Sequence, residues 1–289
     1  ADDAVQLVIV NTPTNTHYEY AKKALLAGKN VVVEKAFTTT VAEAQELKTL
    51  AEKQKLKLAV FQNRRWDSDF KTVQQVLASG KLGEMIEATF SFDRFNPSLS
   101  PKQHKETPSA GAGIVKDLSP HLIDQALVLF GMPEAVFADI RVTREHSQVD
   151  DYFEILLYYT HQRVRLKAGY FVKEPVPAYI VHGRTGSFLK SRADTQEVRL
   201  QAGQKPNMPD WGIEPEADQG LINYLREGKT IREKVPTLPG NYMEFYHQVY
   251  ISISENTDVP VTADDGIRVM QIIEAAILSS EARTVVQLK

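Results

Sequence analysis

The chain has 289 residues, 43% of them apolar, a formal net charge of −3 and no cysteine. Such a length exceeds one ordinary core and predicts two domains, while the lack of thiols excludes a disulfide framework, thiol catalysis and cysteine-ligated zinc or iron–sulfur centres. Basic residues are scattered rather than striped, against a nucleic-acid footprint, and the longest apolar runs fall far short of the ~20 residues a bilayer span needs.

In chain order, Gln6-Leu7-Val8-Ile9-Val10 reads as a buried parallel strand. Asn11-Thr12-Pro13-Thr14-Asn15 breaks it, with Thr14 or Asn15 available to cap a helix striped by Tyr20, Ala21, Ala24 and Leu25 and stopped by Gly28. Val31-Val32-Val33-Glu34-Lys35 is a second buried strand. Residues 40–55 form a second helix with Leu47, Leu50 and Ala51 inward, and residues 56–62 a third strand. This alternation demands a parallel sheet with right-handed crossovers, whose ligand edge lies at the carboxyl tips of the strands. Those tips carry Asn11-Thr12-Pro13, Glu34-Lys35 and Gln62-Asn63-Arg64-Arg65.

After Asp67 the texture changes. A linking helix is predicted over 70–79, then strands over 84–95, 135–144, 152–159, 164–172 and 179–189, with helices over 120–130, 218–227, 242–254 and 264–280. Strand-rich hairpins with packed helices make an α+β second domain. Its sheet, with Tyr152, Phe153, Tyr158 and Tyr159 alternating, is expected to offer an apolar outer face to a second copy. The acid pairs Asp150-Asp151 and Asp264-Asp265 and the stretch 214–218 read as solvated turns. No histidine spacing suggests a metal site.

Two separated signatures are recognisable. Thr12-Pro13-Thr14-Asn15-x-His17 with Ala27-Gly28-Lys29-x-Val31-x-Val33-Glu34-Lys35, and Gly111-Ala112-Gly113 with Asp117-Leu118-x-x-His121-Leu122-Ile123-Asp124, resemble the glucose–fructose oxidoreductase / inositol dehydrogenase (Gfo/Idh/MocA) family. Phe61 to Asp67, Phe92-Asp93-Arg94-Phe95 and Val181-His182-Gly183 are similar to an NADP-dependent, inositol-dehydrogenase-like branch of it. The resemblance covers essentially the whole chain. It implies an α/β fold: a partial Rossmann domain (doubly wound parallel sheet) over 1–66, then an α+β domain with a large, mostly antiparallel open sheet over 67–289. The last helix is placed to pack back on the first domain. Ala36 stands where the family has proline, and Lys116, Ser119 and Pro120 where aromatics and glycine are commoner. The family also opens with a strand, a G-x-G-x-x-G turn and a helix. Gly111-x-Gly113 is no substitute, lacking the third glycine. The expectation is a longer protein with roughly 60 more residues at its start.

Hydride transfer between an alcohol and a nicotinamide needs a group to move the hydroxyl proton and positive charge to steady the alkoxide. The resemblance implies His121 as proton shuttle, Lys35 as positioner and alkoxide stabiliser, and Asp117 as substrate ligand or partner of His121. Asp117 and His121, four apart, share a helical face, with Pro120 expected in the first turn. NAD or NADP is the implied cofactor. Thr12, Pro13, Asn15 and His17 would line its nicotinamide half, with a plain loop and helix cap an equal reading of Asn15 and His17. Glu34 is a structural or cofactor-orienting acid. Arg64, Arg65 and Trp66 are candidates to clamp phosphate or stack on the nicotinamide, one arginine being functional, with a core role open for Trp66. A sugar or cyclic polyol substrate, a cytoplasmic location and a homodimer or higher homo-oligomer complete the expectation. A non-catalytic sugar- or nucleotide-sensing protein, a nicotinamide-dependent glycosidase and an inert fragment are the alternatives.

Overall fold

The computed structural model describes residues 2–101 and 106–288. Strands β1 (Leu7–Val10), β2 (Asn30–Glu34) and β3 (Leu58–Phe61) pair in parallel in the order β1-β2-β3. Helices α1 (His17–Leu26) and α2 (Val41–Gln54) make the crossovers. The Val31-Val32-Val33 run is fully buried because both faces of a parallel sheet are covered. Thr40 caps α2 in a reciprocal box with Glu43, satisfying the first free N–H groups of the helix. For α1 the expected side-chain cap is absent. Residues Thr14–Thr16 form a 3-10 turn instead, and the Thr16 hydroxyl bonds back to Thr12 and the Pro13 carbonyl.

The remainder is a nine-stranded sheet. Helix α3 (Ser68–Ala78) leads into β4 (Met85–Ser91). Helix α4 (Ile114–Phe130) follows, then β5 (Ala135–Arg141), β6 (Tyr152–Tyr158), β7 (Arg163–Gly169), β8 (Tyr179–Gly183), β9 (Gly186–Lys190) and the short α5 (Gln196–Gln201). The chain closes with β10 (Gly220–Arg226), β11 (Lys229–Val235), α6 (Met243–Ser254), α7 (Ala263–Ala282) and β12 (Val286–Gln287). The order is β11-β10-β9-β8-β4-β7-β6-β5-β12, with β4–β7 the parallel pair.

Several expectations are corrected here. Residues 218–227 are not a helix: β10 and β11 form a hairpin whose turn is Glu227-Gly228, both at positive φ, as a two-residue hairpin turn requires. Residues 179–189 split into the hairpin β8–β9. Helix α4 starts at Ile114, six residues before Pro120, so the proline lies inside it rather than in its first turn. Its start is set by a distant residue: Asp150 accepts the Val115 N–H at 2.7 Å and offers its carbonyl to Ile114 at 2.9 Å. Gly113, at φ 92, has no room for a Cβ, which would lie 2.1 Å from the Asp150 carboxylate. Asp150 is therefore a helix cap and not a solvated turn. Asp151 is buried on Arg144, and Glu214 on Lys190, so those acids are core ion pairs as well.

The outer sheet face is also unlike the apolar surface expected. Its residues include Arg163 over the Tyr158 ring, Arg165 paired with Glu154 at 2.7 Å, and Lys167 paired with Asp93 at 3.0 Å. Alternation buries Phe153, Ile155 and Leu157 on the inner face, against α4 and α7. Helix α7 joins both cores: Ala263 and Ile267 pack with the parallel sheet, Met270, Ile272 and Ile273 with the larger one.

Candidate active site

A cleft of about 740 Å³ opens at the carboxyl tips of β1 and β2 and is closed opposite by the start of α4 and the chain beyond β4. Strand ends supply Asn11, Thr12, Pro13, Asn15, Glu34 and Lys35; α4 supplies Lys116 and Asp117. Across it, the Lys35 ammonium donates to the Asp117 carboxylate at 2.8 Å and to the Asp117 carbonyl at 2.6 Å. Both groups keep some surface, so the pair is poised at the cleft wall rather than sealed in. The Lys35–Ala36 peptide, where the family has proline, is cis.

One helical turn on, about 6 Å along the axis, His121 is buried, and its Nδ1 has no hydrogen-bond partner. Burial, then the charges of Lys35, Arg64, Arg192 and Arg94, hold its pKa well below the ordinary 6.5, so the ring is neutral. Asp117 binds Lys35, and no hydrogen bond joins it to the His121 ring among the described residues. Burial raises the Glu34 carboxyl, opposed by Lys35.

Other predicted residues sit elsewhere. His17 is buried behind the cleft, its two ring nitrogens 2.9 Å from the carbonyls of Ala36 and Thr12, so it joins the β1 and β2 tips. The 3-10 turn Asn63–Trp66 carries its side chains away from the cleft. Arg64 pairs with Asp67 and Glu197, Arg65 forks onto Asp124 at 2.7 and 2.8 Å, and Trp66 packs edge-on against Phe245. Asp67, fully buried, is pushed up to about 7 by burial, against the pull of Arg64. Cleft residues not predicted as site residues from the sequence include Arg94, Asn96, Arg144, Asp150 and Tyr170. Arg144 stacks on Tyr170 and holds both Glu106 and Asp151 at 2.9 Å, fixing the rim.

Comparison with known proteins decides the family. The description "oxidoreductase family, NAD-binding Rossmann fold" matches residues 1–62, and "oxidoreductase family, C-terminal alpha/beta domain" matches 74–288, both of the Gfo/Idh/MocA group. The chain belongs to this oxidoreductase family. It is an NAD(P)-dependent dehydrogenase by that membership, with NAD or NADP as cofactor. It is 38% identical over 288 residues to the NADP(+)-dependent scyllo-inositol 2-dehydrogenase IolW of Bacillus subtilis, covering 100% of this chain and 80% of that protein. It is 39% identical over 282 residues to the oxidoreductase YdgJ of Escherichia coli, covering 98% and 81%. The solved structure of the oxidoreductase yvaA from B. subtilis superposes with a TM-score of 0.95 at 37% identity, covering 100% of this chain and 82% of that one. The cleft suits a dinucleotide's nicotinamide end. It lies at the carboxyl edge of the parallel sheet, where such ligands bind, and Thr12, Pro13 and Asn15 form its floor.

Proposed function

We propose that the protein transfers a hydride between NAD(P) and a hydroxyl-bearing or carbonyl carbon of a sugar or cyclic polyol. The observation that carries this is the Lys35–Asp117 pair in the cleft, with a neutral histidine one turn deeper on the same helix. Thr12, Pro13, Asn15 and Glu34 would hold the cofactor, which supplies the hydride acceptor when bound. Lys35, oriented by Asp117, points its charge at the substrate oxygen and stabilises the alkoxide as the C–H bond breaks. His121, already deprotonated, takes the hydroxyl proton and returns it in the reverse direction. Scyllo-inositol oxidation by the B. subtilis relative supports a polyol substrate. The same reading puts the protein in the cytoplasm as a homodimer or higher homo-oligomer, residues 1–66 serving the cofactor and 67–289 the substrate.

The test is reduction of NAD+ and NADP+ by the full-length protein across inositols and aldoses. Turnover of at least one is expected, and Lys35→Met should lower kcat by about 10²–10³-fold. Failure of every sugar and polyol with a protein that still binds the dinucleotide would reject the substrate class.

A further inference from the structure

The chain after β4 keeps pairing beyond Ser91: Phe92 donates to the Lys167 carbonyl at 2.8 Å and Arg94 to the Gly169 carbonyl at 2.9 Å. Strand alternation therefore continues. Asp93 faces outward onto Lys167, while Phe92 enters the core beneath α4 and Arg94 reaches the cleft. Three guanidinium groups surround the Phe92 ring, Arg192 at 4.3 Å and Arg64 and Arg94 at 4.9 Å from its centroid. Arg64 is committed to Asp67 and Glu197. Arg192 is stacked between Phe92 and Tyr179, with Nε and Nη1 lacking hydrogen-bond partners. Arg94 is exposed in the cleft, and among the described residues its guanidinium meets the Phe92 ring but no carboxylate or other acceptor.

That arrangement is built for a ligand of one sign. The Phe92 ring anchors the Arg94 guanidinium at the cleft wall, and no acceptor among the described residues occupies its N–H groups. Arginine and lysine present donors only, so an uncharged hydroxyl bound there would still need an acceptor for its own proton. An oxyanion needs none, and the guanidinium fork matches it in charge and geometry.

We infer that the substrate carries an oxyanion, a carboxylate or a phosphate ester, which Arg94 binds at the cleft wall while the reacting hydroxyl lies at Lys35. The position of the reacting hydroxyl rests on the dehydrogenase reading above; binding of the oxyanion by Arg94 does not.

The experiment is calorimetric titration of the cofactor-loaded full-length protein with D-glucuronate, D-glucose 6-phosphate and D-glucose, followed by kcat/KM for each. An anionic sugar should bind about 10- to 100-fold more tightly than glucose, the range of a charge-assisted contact. Preference for glucuronate identifies a carboxylate, and preference for the phosphate an ester. Arg94→Ala should abolish the gap, and Arg94→Lys should restore part of it. Equal binding of all three sugars, or a gap that survives Arg94→Ala, overturns the inference. An Arg94-dependent gap without turnover supports the inference and counts against the sugar dehydrogenase. Turnover of neutral sugars without a gap does the reverse.

Discussion

His121 offers the sharpest test of the proposed chemistry. The residue is 5% exposed, and its ring is neutral and leaves Nδ1 unpartnered. Removing a positioned proton acceptor costs about 10²–10⁴-fold in kcat, or roughly 3–5 kcal/mol of barrier at ~1.4 kcal/mol per decade. His121→Ala and the near-isosteric His121→Gln should both fall in this range, with cofactor affinity little changed, because the proton moves only in the transition state. His161→Ala, at an exposed turn, should be neutral. Since burial and four cations hold the ring's pKa below 6.5, the acid limb of kcat/KM should also lie below that value. Steady-state nicotinamide reduction from pH 5 to 9 reads both quantities, and urea unfolding separates a chemical from a folding defect. Turnover of His121→Gln within about threefold of wild type would refute the role and shift it to Asp117 or a water chain.

The same variant tests linkage. The folded pKa of His121 lies below 6.5, so as pH falls through 6.5 the unfolded chain takes up a proton that the folded chain refuses, and stability is lost. Urea titrations at pH 7.5, 6.5 and 5.5 should therefore show His121→Gln gaining on wild type as pH drops, by up to about 1.4 kcal/mol per pH unit. A constant difference would contradict the depressed pKa. Elsewhere in the core, the Lys190 ammonium is fully enclosed, with the Glu214 carboxylate at 2.5 Å and the Asp218 carbonyl at 2.9 Å. Lys190→Met should cost about 3–5 kcal/mol, and Lys190→Met with Glu214→Leu clearly less, because the double change leaves no lone buried charge.

Where local rules govern, the sequence was legible. The three parallel strands and the place of Lys35 at the cleft follow from apolar runs and strand-tip logic, and Asp117 opposite it from the second family-like signature. Where a distant partner decides, it was not. The start of α4 depends on Asp150, 35 positions from the Val115 N–H it accepts. The β10–β11 hairpin was hidden because Leu221, Ile222, Tyr224 and Leu225 have helical spacing, whereas Glu227-Gly228 reverses the chain. Arg94 was visible as part of a family-like tetrapeptide, yet alternation in β4 was the signal that put it on the cleft side.

The placement of Arg65 shows how the site is held. It was a candidate phosphate clamp, but its fork grips Asp124, one helical turn beyond His121, and also lies 3.5 Å from Asp265 on α7. Gln62 reaches the Pro120 carbonyl at 3.5 Å, Lys116 the Thr39 carbonyl at 3.2 Å, and Lys35 Asp117 itself. Each contact joins α4 to the chain at or just beyond the tips of β2 and β3. A proton acceptor and a charged donor on separate elements are useful only if their separation is fixed before substrate arrives. In the proposed chemistry the links of Arg65, Gln62 and Lys116, backed by α7 packing into both cores, would set that separation from beside the reacting groups.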